Sequence, residues 1–340
     1  MIRKGIYFFV FITISASAQD IHFSQFSITR SVLNPGLISY QDLDFQLEIQ
    51  RRSQWKSVTT PFTTFSISLN RRSLLPKTSV GINFIRDLAG DSQLSTRGFS
   101  LTVSYKLNAS LKHNISIGAS VGSYKRSVDY NTIIFIDNEN IPNTNIQFID
   151  LSIGLMHEAE INPSLIILSG FSLLHVNQPE QSLTGNNKIR LPINNKFHTS
   201  IIYYFNDRVQ FKPSILYSKQ GTSNEFIFGA GINYLLSNYG TERIVIRTAF
   251  FNRHNDALIP KIGVKIDNFE AMMSYDINTS SLVSASDYKG GFEFSIVYQW
   301  GLNKSEKSPP SIGIKEVPLS VVSVGFTSTN PSPGVGSFAK

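Results

Sequence analysis

The sequence predicts an all-β protein, a transmembrane antiparallel β-barrel of about fourteen strands with long outward loops and short periplasmic turns. Three observations carry that expectation. Apolar and polar residues alternate with period two from about residue 44 onwards, the connecting segments run by turns long and short, and aromatic residues, 12% of the chain, collect at segment ends.

The alternation is the strongest of the three. A period of two places one set of side chains on one face of a strand and the other set opposite. Phe99, Leu101, Val103, Tyr105 and Leu107 interleave with Ser100, Thr102, Ser104 and Lys106. Ile115, Ile117, Ala119 and Val121 interleave with Ser116, Gly118 and Ser120. The pattern returns at Phe197 to Phe205, Val209 to Tyr217 and Phe226 to Leu236, and closes at Phe292, Phe294, Ile296, Tyr298 and Trp300. It predicts strands near 44–51, 61–71, 78–87, 95–107, 112–124, 147–158, 164–174, 196–206, 208–218, 224–236, 242–252, 258–267, 268–276 and 289–301. No sustained helical period competes with it.

The connections follow. With both barrel ends in the periplasm, odd connections face outward and are expected to be long. Segments 52–60, 88–94, 125–146, 175–195, 219–223, 253–257 and 277–288 fit that place, the fifth and sixth being shortest. Even connections such as Asn206-Asp207 and Asp267-Asn268 are tight, and Arg72 to Lys77 is a moderate exception. Tyr217, Tyr234, Tyr298 and Trp300 fall where an interfacial girdle would sit.

Bulk composition agrees with export rather than with a helical membrane protein. No apolar run reaches the roughly 18 residues of a spanning helix. The mean hydropathy of -0.05 is what strands apolar on one face only produce. Arg3 and Lys4, the apolar stretch Ile6 to Ile14, and Ala16-Ser17-Ala18 predict a signal peptide over 1–18, leaving a start at Gln19-Asp20. The chain has no cysteine, which excludes a lipid-anchored cysteine, disulfides and thiolate metal sites. The net charge of +7 suits lumen and rim positions and an anionic outer leaflet; nucleic acid is not expected as a partner of an exported chain. Residues 19–43 are expected as an N-terminal periplasmic segment, 44–301 as the barrel, and the Pro/Ser/Gly-rich residues 302–340 as a periplasmic tail.

Motifs for chemistry are sparse. Gly118-Ala119-Ser120-Val121-Gly122 fits the nucleophile-elbow pattern, but it lies inside an alternating strand where small residues face the lumen. His22, His113, His157, His175, His198 and His254 show no metal-ligand spacing. Asp137-Asn138-Glu139-Asn140 lacks the spacing of a calcium loop. No catalytic residue, metal site or cofactor is expected.

Several segments resemble the PorP/SprF family, membrane proteins of the type IX secretion system of Bacteroidetes. They are Gln19-Asp20-Ile21-His22-Phe23-Ser24-Gln25-Phe26 with Asn34-Pro35-Gly36-Leu37, Arg52-Ser53-Gln54-Trp55 with Thr64-Phe65-Ser66, and Leu174-His175-Val176-Asn177-Gln178-Pro179. The fullest is Tyr275 to Leu282 followed by Gly290-Gly291-Phe292-Glu293-Phe294-Ser295. The resemblance spans residues 19 to 301 in order; Gly36, where alanine is more usual, and the tail after Gly301 depart from it. It implies an outer-membrane component that supports secretion or surface attachment of a partner adhesin carrying a C-terminal sorting domain, including gliding adhesins. Other type IX components and outer-membrane lipid and lipopolysaccharide are the further partners implied, and no catalytic residues come with it. Under the expected topology His175, Asn177, Gln178 and Pro179 open the fourth outward loop, and Asn278, Ser280 and Ser281 enter the seventh. These are the candidate partner-binding residues. The N-terminal motif of His22, Phe23, Ser24, Gln25, Asn34 and Pro35 is expected to plug or brace the inner end. The competing expectation is a general porin or solute channel, since a barrel of this size can pass small solutes.

Overall fold

The computed structural model describes residues 20–54, 60–90, 94–108, 110, 112–128, 145–183, 189–237, 243–280 and 287–302. Fourteen antiparallel strands close into one barrel, each paired to its neighbours in sequence and the first to the last. They are β1 (Phe45–Gln54), β2 (Phe62–Leu75), β3 (Thr78–Ala89), β4 (Leu94–Asn108), β5 (His113–Ser127), β6 (Asn145–Asn162) and β7 (Leu165–Leu174). The second half comprises β8 (Asn194–Tyr204), β9 (Val209–Gln220), β10 (Ser223–Ser237), β11 (Ile244–Arg253), β12 (Ala257–Ile266), β13 (Phe269–Asn278) and β14 (Lys289–Trp300). Closure runs from Phe45 opposite Trp300 to Gln54 opposite Gly291. It leaves no unpaired sheet edge, which is the condition for strands to cross hydrocarbon.

Burial along each strand is the inverse of a water-soluble protein. On β4, Phe99, Leu101 and Val103 are exposed while Ser100, Thr102 and Ser104 are buried. Ser66, Ser68 and Asn70 of β2 likewise point inward, and Ile153 and Leu155 of β6 outward. An apolar outer band around a polar interior is stable only where lipid takes up the apolar face. Tyr217, Tyr234 and Tyr298 belong to that outer face, and Phe45 stacks on Trp300 with ring centroids 5.0 Å apart.

All expected strands are present, with ends shifted by a few residues. One of the larger shifts is at Arg72 to Lys77: β2 continues to Leu75 through a register irregularity after Arg71. Ser73 and Lys77 there take left-handed φ values of 52° and 62°, so the strand is carried to a tighter turn. The fifth outward connection shrinks to Gly221-Thr222, where a positive φ of 55° at Gly221 lets a two-residue hairpin form. The β5–β6 pair runs unbroken from His113 opposite Ala159 to Ser127 opposite Asn145, longer than the 9–11 residues a tilted strand needs to cross a bilayer. The wall is therefore tallest on that side.

Residues 20–43, expected as a periplasmic segment, lie inside the barrel. They form a strap that enters among the outward strand ends and reaches the short-turn end before joining β1. Its secondary structure is limited to the helix α1 (Arg30–Leu33) and a 3-10 turn at Pro35–Ser39. Residues 1–18, expected as a signal peptide, and the tail after Leu302 lie outside the described residues.

Candidate functional site

The strap and the lumen wall together form a dense polar assembly. At the outer end, the Asp20 amide donates to Gln220 Oε1 at 3.0 Å and its carboxylate meets His175 Nε2 at 2.9 Å. His175 Nδ1 contacts Asp150 Oδ1 at 2.8 Å, so the imidazole lies between two carboxylates. Burial alone would depress His175; the charge of Asp20 and hydrogen bonds to Asp150 and Asp20 outweigh it and raise the group to about 9. Burial opposes ionisation of Asp20 too, but His175 holds its carboxyl well below the usual carboxylate range. The pair is charged on both sides at neutral pH.

Below this, the wall reads the backbone of the strap. One carboxylate, Glu293 of β14, accepts from the Ser24 amide at 2.8 Å and the Gln25 amide at 2.7 Å. Lys261 of β12 donates to the Ser24 carbonyl at 2.5 Å, Gln50 of β1 to the Gln25 carbonyl at 3.2 Å, and Arg52 to the His22 carbonyl at 2.9 Å. The Ser24 hydroxyl donates to Asp276 of β13 at 2.6 Å and accepts from Arg253 of β11 at 2.8 Å. The Gln25 amide donates to Ser274 at 3.1 Å and accepts from Ser295 at 2.5 Å. Phe26 meets Phe251 edge-on at 5.9 Å in an apolar niche with Leu216, Ile227 and Ile259. Buried charges are tolerable only when such partners are complete.

Lower down, steric fit takes over. Asn34 donates through Nδ2 to the carbonyls of Leu155 at 3.0 Å and Phe171 at 3.3 Å, while its Oδ1 accepts from Gly36 N at 2.9 Å. That reach into the backbone of β6 and β7 exists because the wall lacks side chains there. A Cβ on Gly154 would lie 2.0 Å from Asn34 Oδ1, and one on Gly118 2.3 Å from the Pro35 carbonyl carbon. Ser116 donates to the Gly36 carbonyl at 2.7 Å and Ser172 to the Leu33 carbonyl at 2.8 Å. Tyr40 donates to the Asn114 carbonyl at 3.1 Å near the short-turn end.

The N-terminal motif residues His22, Phe23, Ser24, Gln25, Asn34 and Pro35 are thus brought together along one path through the lumen. The rim candidates are placed differently. His175 is buried under the strap's end, in the left-handed region with φ 58°. Asn177 pins its loop to β6, accepting from Leu151 N at 3.0 Å and donating to the Ile149 carbonyl at 2.7 Å. Gln178 is exposed and Pro179 buried. Asn278 is buried and its Oδ1 accepts from Ser280 N and Oγ at 3.0 and 2.7 Å; Ser281 lies outside the described residues. The hydrolase-like pentapeptide is explained by packing: Gly118 makes room for Pro35, and Ser120 accepts from Thr102. Residues missed from sequence are Asp20, Asp150, Gln50, Arg253, Lys261 and Asp276. For all but Asp20, which lies on the strap, the signal was charge and amide at lumen parity towards outward strand ends.

Solved structures similar to this chain include the Ralstonia pickettii toluene transporter TbuX, at 12% identity over 78% of this chain and 92% of that one, TM-score 0.48. A Pseudomonas aeruginosa FadL homologue matches at 9% identity over 78% and 92%, TM-score 0.45. The KdgM porin matches at 10% identity over 74% and 99%, TM-score 0.38. No curated protein matches the chain. The description "Type IX secretion system membrane protein PorP/SprF" matches residues 15–298. With the strap and all but the last two residues of the barrel inside that span, the chain belongs to the PorP/SprF family of type IX secretion system membrane proteins.

Proposed function

We propose that this outer-membrane barrel is a non-enzymatic accessory of type IX secretion that supports delivery or surface attachment of a partner adhesin, gliding adhesins included. Family membership implies other type IX components as neighbours, and the apolar outer belt suits lipid and lipopolysaccharide. The observation that carries the reading is the strap: a lumen occupied along its height by a bonded segment serves a protein partner better than a freely diffusing solute.

The loops entered by His175, Asn177, Gln178 and Pro179, and by Asn278, Ser280 and Ser281, form the partner-facing rim in this reading. Exposed Gln178 is offered to the partner, whereas His175, Asn177 and Asn278 hold the rim in shape. The solute-channel reading is separated by conductance. The purified protein in a planar bilayer is expected to stay closed; a steady open pore would favour the porin and remove the plugged-accessory reading.

A further inference from the structure

The two halves of the strap are held by different physics. From Asn34 to Tyr40 the fit is steric, in a trench that exists only because Gly118 and Gly154 carry no side chain. From Asp20 to Gln25 the hold is electrostatic and directed mostly at backbone atoms. Glu293 takes two consecutive amides, while Lys261, Gln50 and Arg52 take three carbonyls. Residues 24–27 present these groups from a turn, which is how one carboxylate reaches two consecutive amides.

The upper seat also stands without its occupant. Arg52 pairs with Asp276 at 2.7 Å, and Arg253 with Asp276 and Glu225 at 3.0 Å each. All of these are wall-to-wall contacts. Withdrawing residues 20–26 leaves Arg52, Arg253 and Asp276 paired with one another, takes the Ser24 carbonyl from Lys261, and uncovers the apolar niche of Phe26. The position is shallow as well. Arg52, Arg253, Lys261, Asp276 and Glu293 all lie within four residues of the outward ends of their strands, a depth of roughly 13 Å at most at about 3.3 Å per residue. A segment arriving from the outer rim meets this seat first.

We propose that the upper seat is a peptide receptor, occupied here by the chain's own residues 20–26, and that a turn-forming segment of a partner protein takes it by displacing them. Side-chain readout defines the segment's class. Asp276 with Arg253 selects a small hydroxyl, Ser274 with Ser295 selects a carboxamide next to it, and the Phe251 niche selects an aromatic after that. The ligand is therefore a peptide turn with a Ser/Thr-Gln/Asn-aromatic core. This rests on the accessory reading above, since it supplies the contact by which a partner protein would be held.

The test uses the full chain in lipid nanodiscs and a fluorescent synthetic peptide copying residues 20–30. Ser24→Ala with Gln25→Ala weakens the resident strap and leaves the Asn34 anchor in place. This variant is expected to bind the peptide saturably. Adding Glu293→Gln, which removes the charge from two amide bonds, is expected to weaken binding roughly tenfold or more. Lys261→Ala provides an independent check should Glu293→Gln impair folding, which heat-dependent gel migration reports. No saturable binding by a folded strap-weakened barrel overturns the proposal and makes the strap a fixed part of the wall. Binding indifferent to both Glu293→Gln and Lys261→Ala overturns it too. Neither result depends on adhesin display, so the accessory reading stands or falls separately.

Discussion

Gly154 shows how a missing side chain can organise a site. Its absent Cβ is what brings Asn34 onto the carbonyls of β6 and β7, and Gly154→Ala forces a contact with the Asn34 carboxamide and the Pro35 ring. The expected cost is about 1–3 kcal/mol, read as lowered thermal stability together with lost hydrogen-exchange protection in residues 30–40; unchanged protection contradicts the trench. His175 gives the second residue-scale prediction. Its folded value near 9 lies above the ordinary 6.5, so its contribution is fully present below pH 6.5 and fades as pH rises through about 9. Asp20 is depressed, so its contribution is present above its ordinary 3.8 and is lost only as pH falls through the lower folded value. Exchange at residues 20–25 is therefore slowest, relative to intrinsic rates, between pH 3.8 and 6.5. It should accelerate towards pH 9, and His175→Ala should abolish that dependence. Neither residue's role was legible in the sequence. Glycine and histidine identities were visible, but Asp20 and His175 are far apart in the chain and meet only when the barrel closes.

At the scale of elements, period-two alternation was legible because lipid enforces it on every strand. Leu101 and Thr102 illustrate the rule on β4, one facing lipid and one the lumen. Leu101→Arg near the strand's middle is expected to cost about 2–4 kcal/mol of folding stability in lipid, whereas Thr102→Ser should fall within about 0.5 kcal/mol. Equal effects in equilibrium unfolding would contradict the assigned faces. Strand ends were less legible, as at Arg72 to Leu75, because left-handed residues other than glycine carry a strand through an irregularity without a compositional mark. The strap was misplaced for a related reason. With its helices only short, Arg30–Leu33 and Pro35–Ser39, and its hydrogen bonds made to side chains across the barrel, no periodicity announces it. A segment of this kind reads in sequence as a loop.

For the whole molecule, the +7 charge finds its place partly inside the lumen. Arg52, Arg253, Lys196, Lys261 and Lys265 are buried there with carboxylates among them. A wide polar lumen would by itself suit diffusion, and the strap is what turns the balance towards a protein partner. Barrel and family were within reach of the sequence; occupancy of the lumen was not, since it depends on how wall and strap meet in three dimensions. The most direct test of the account is quantitative surface proteomics on a clean deletion strain, with the cell-retained fraction measured in parallel. The account predicts that a large adhesin leaves the surface while general secretion persists. An unchanged surface with reduced uptake of small solutes would contradict it and mark the barrel as a channel.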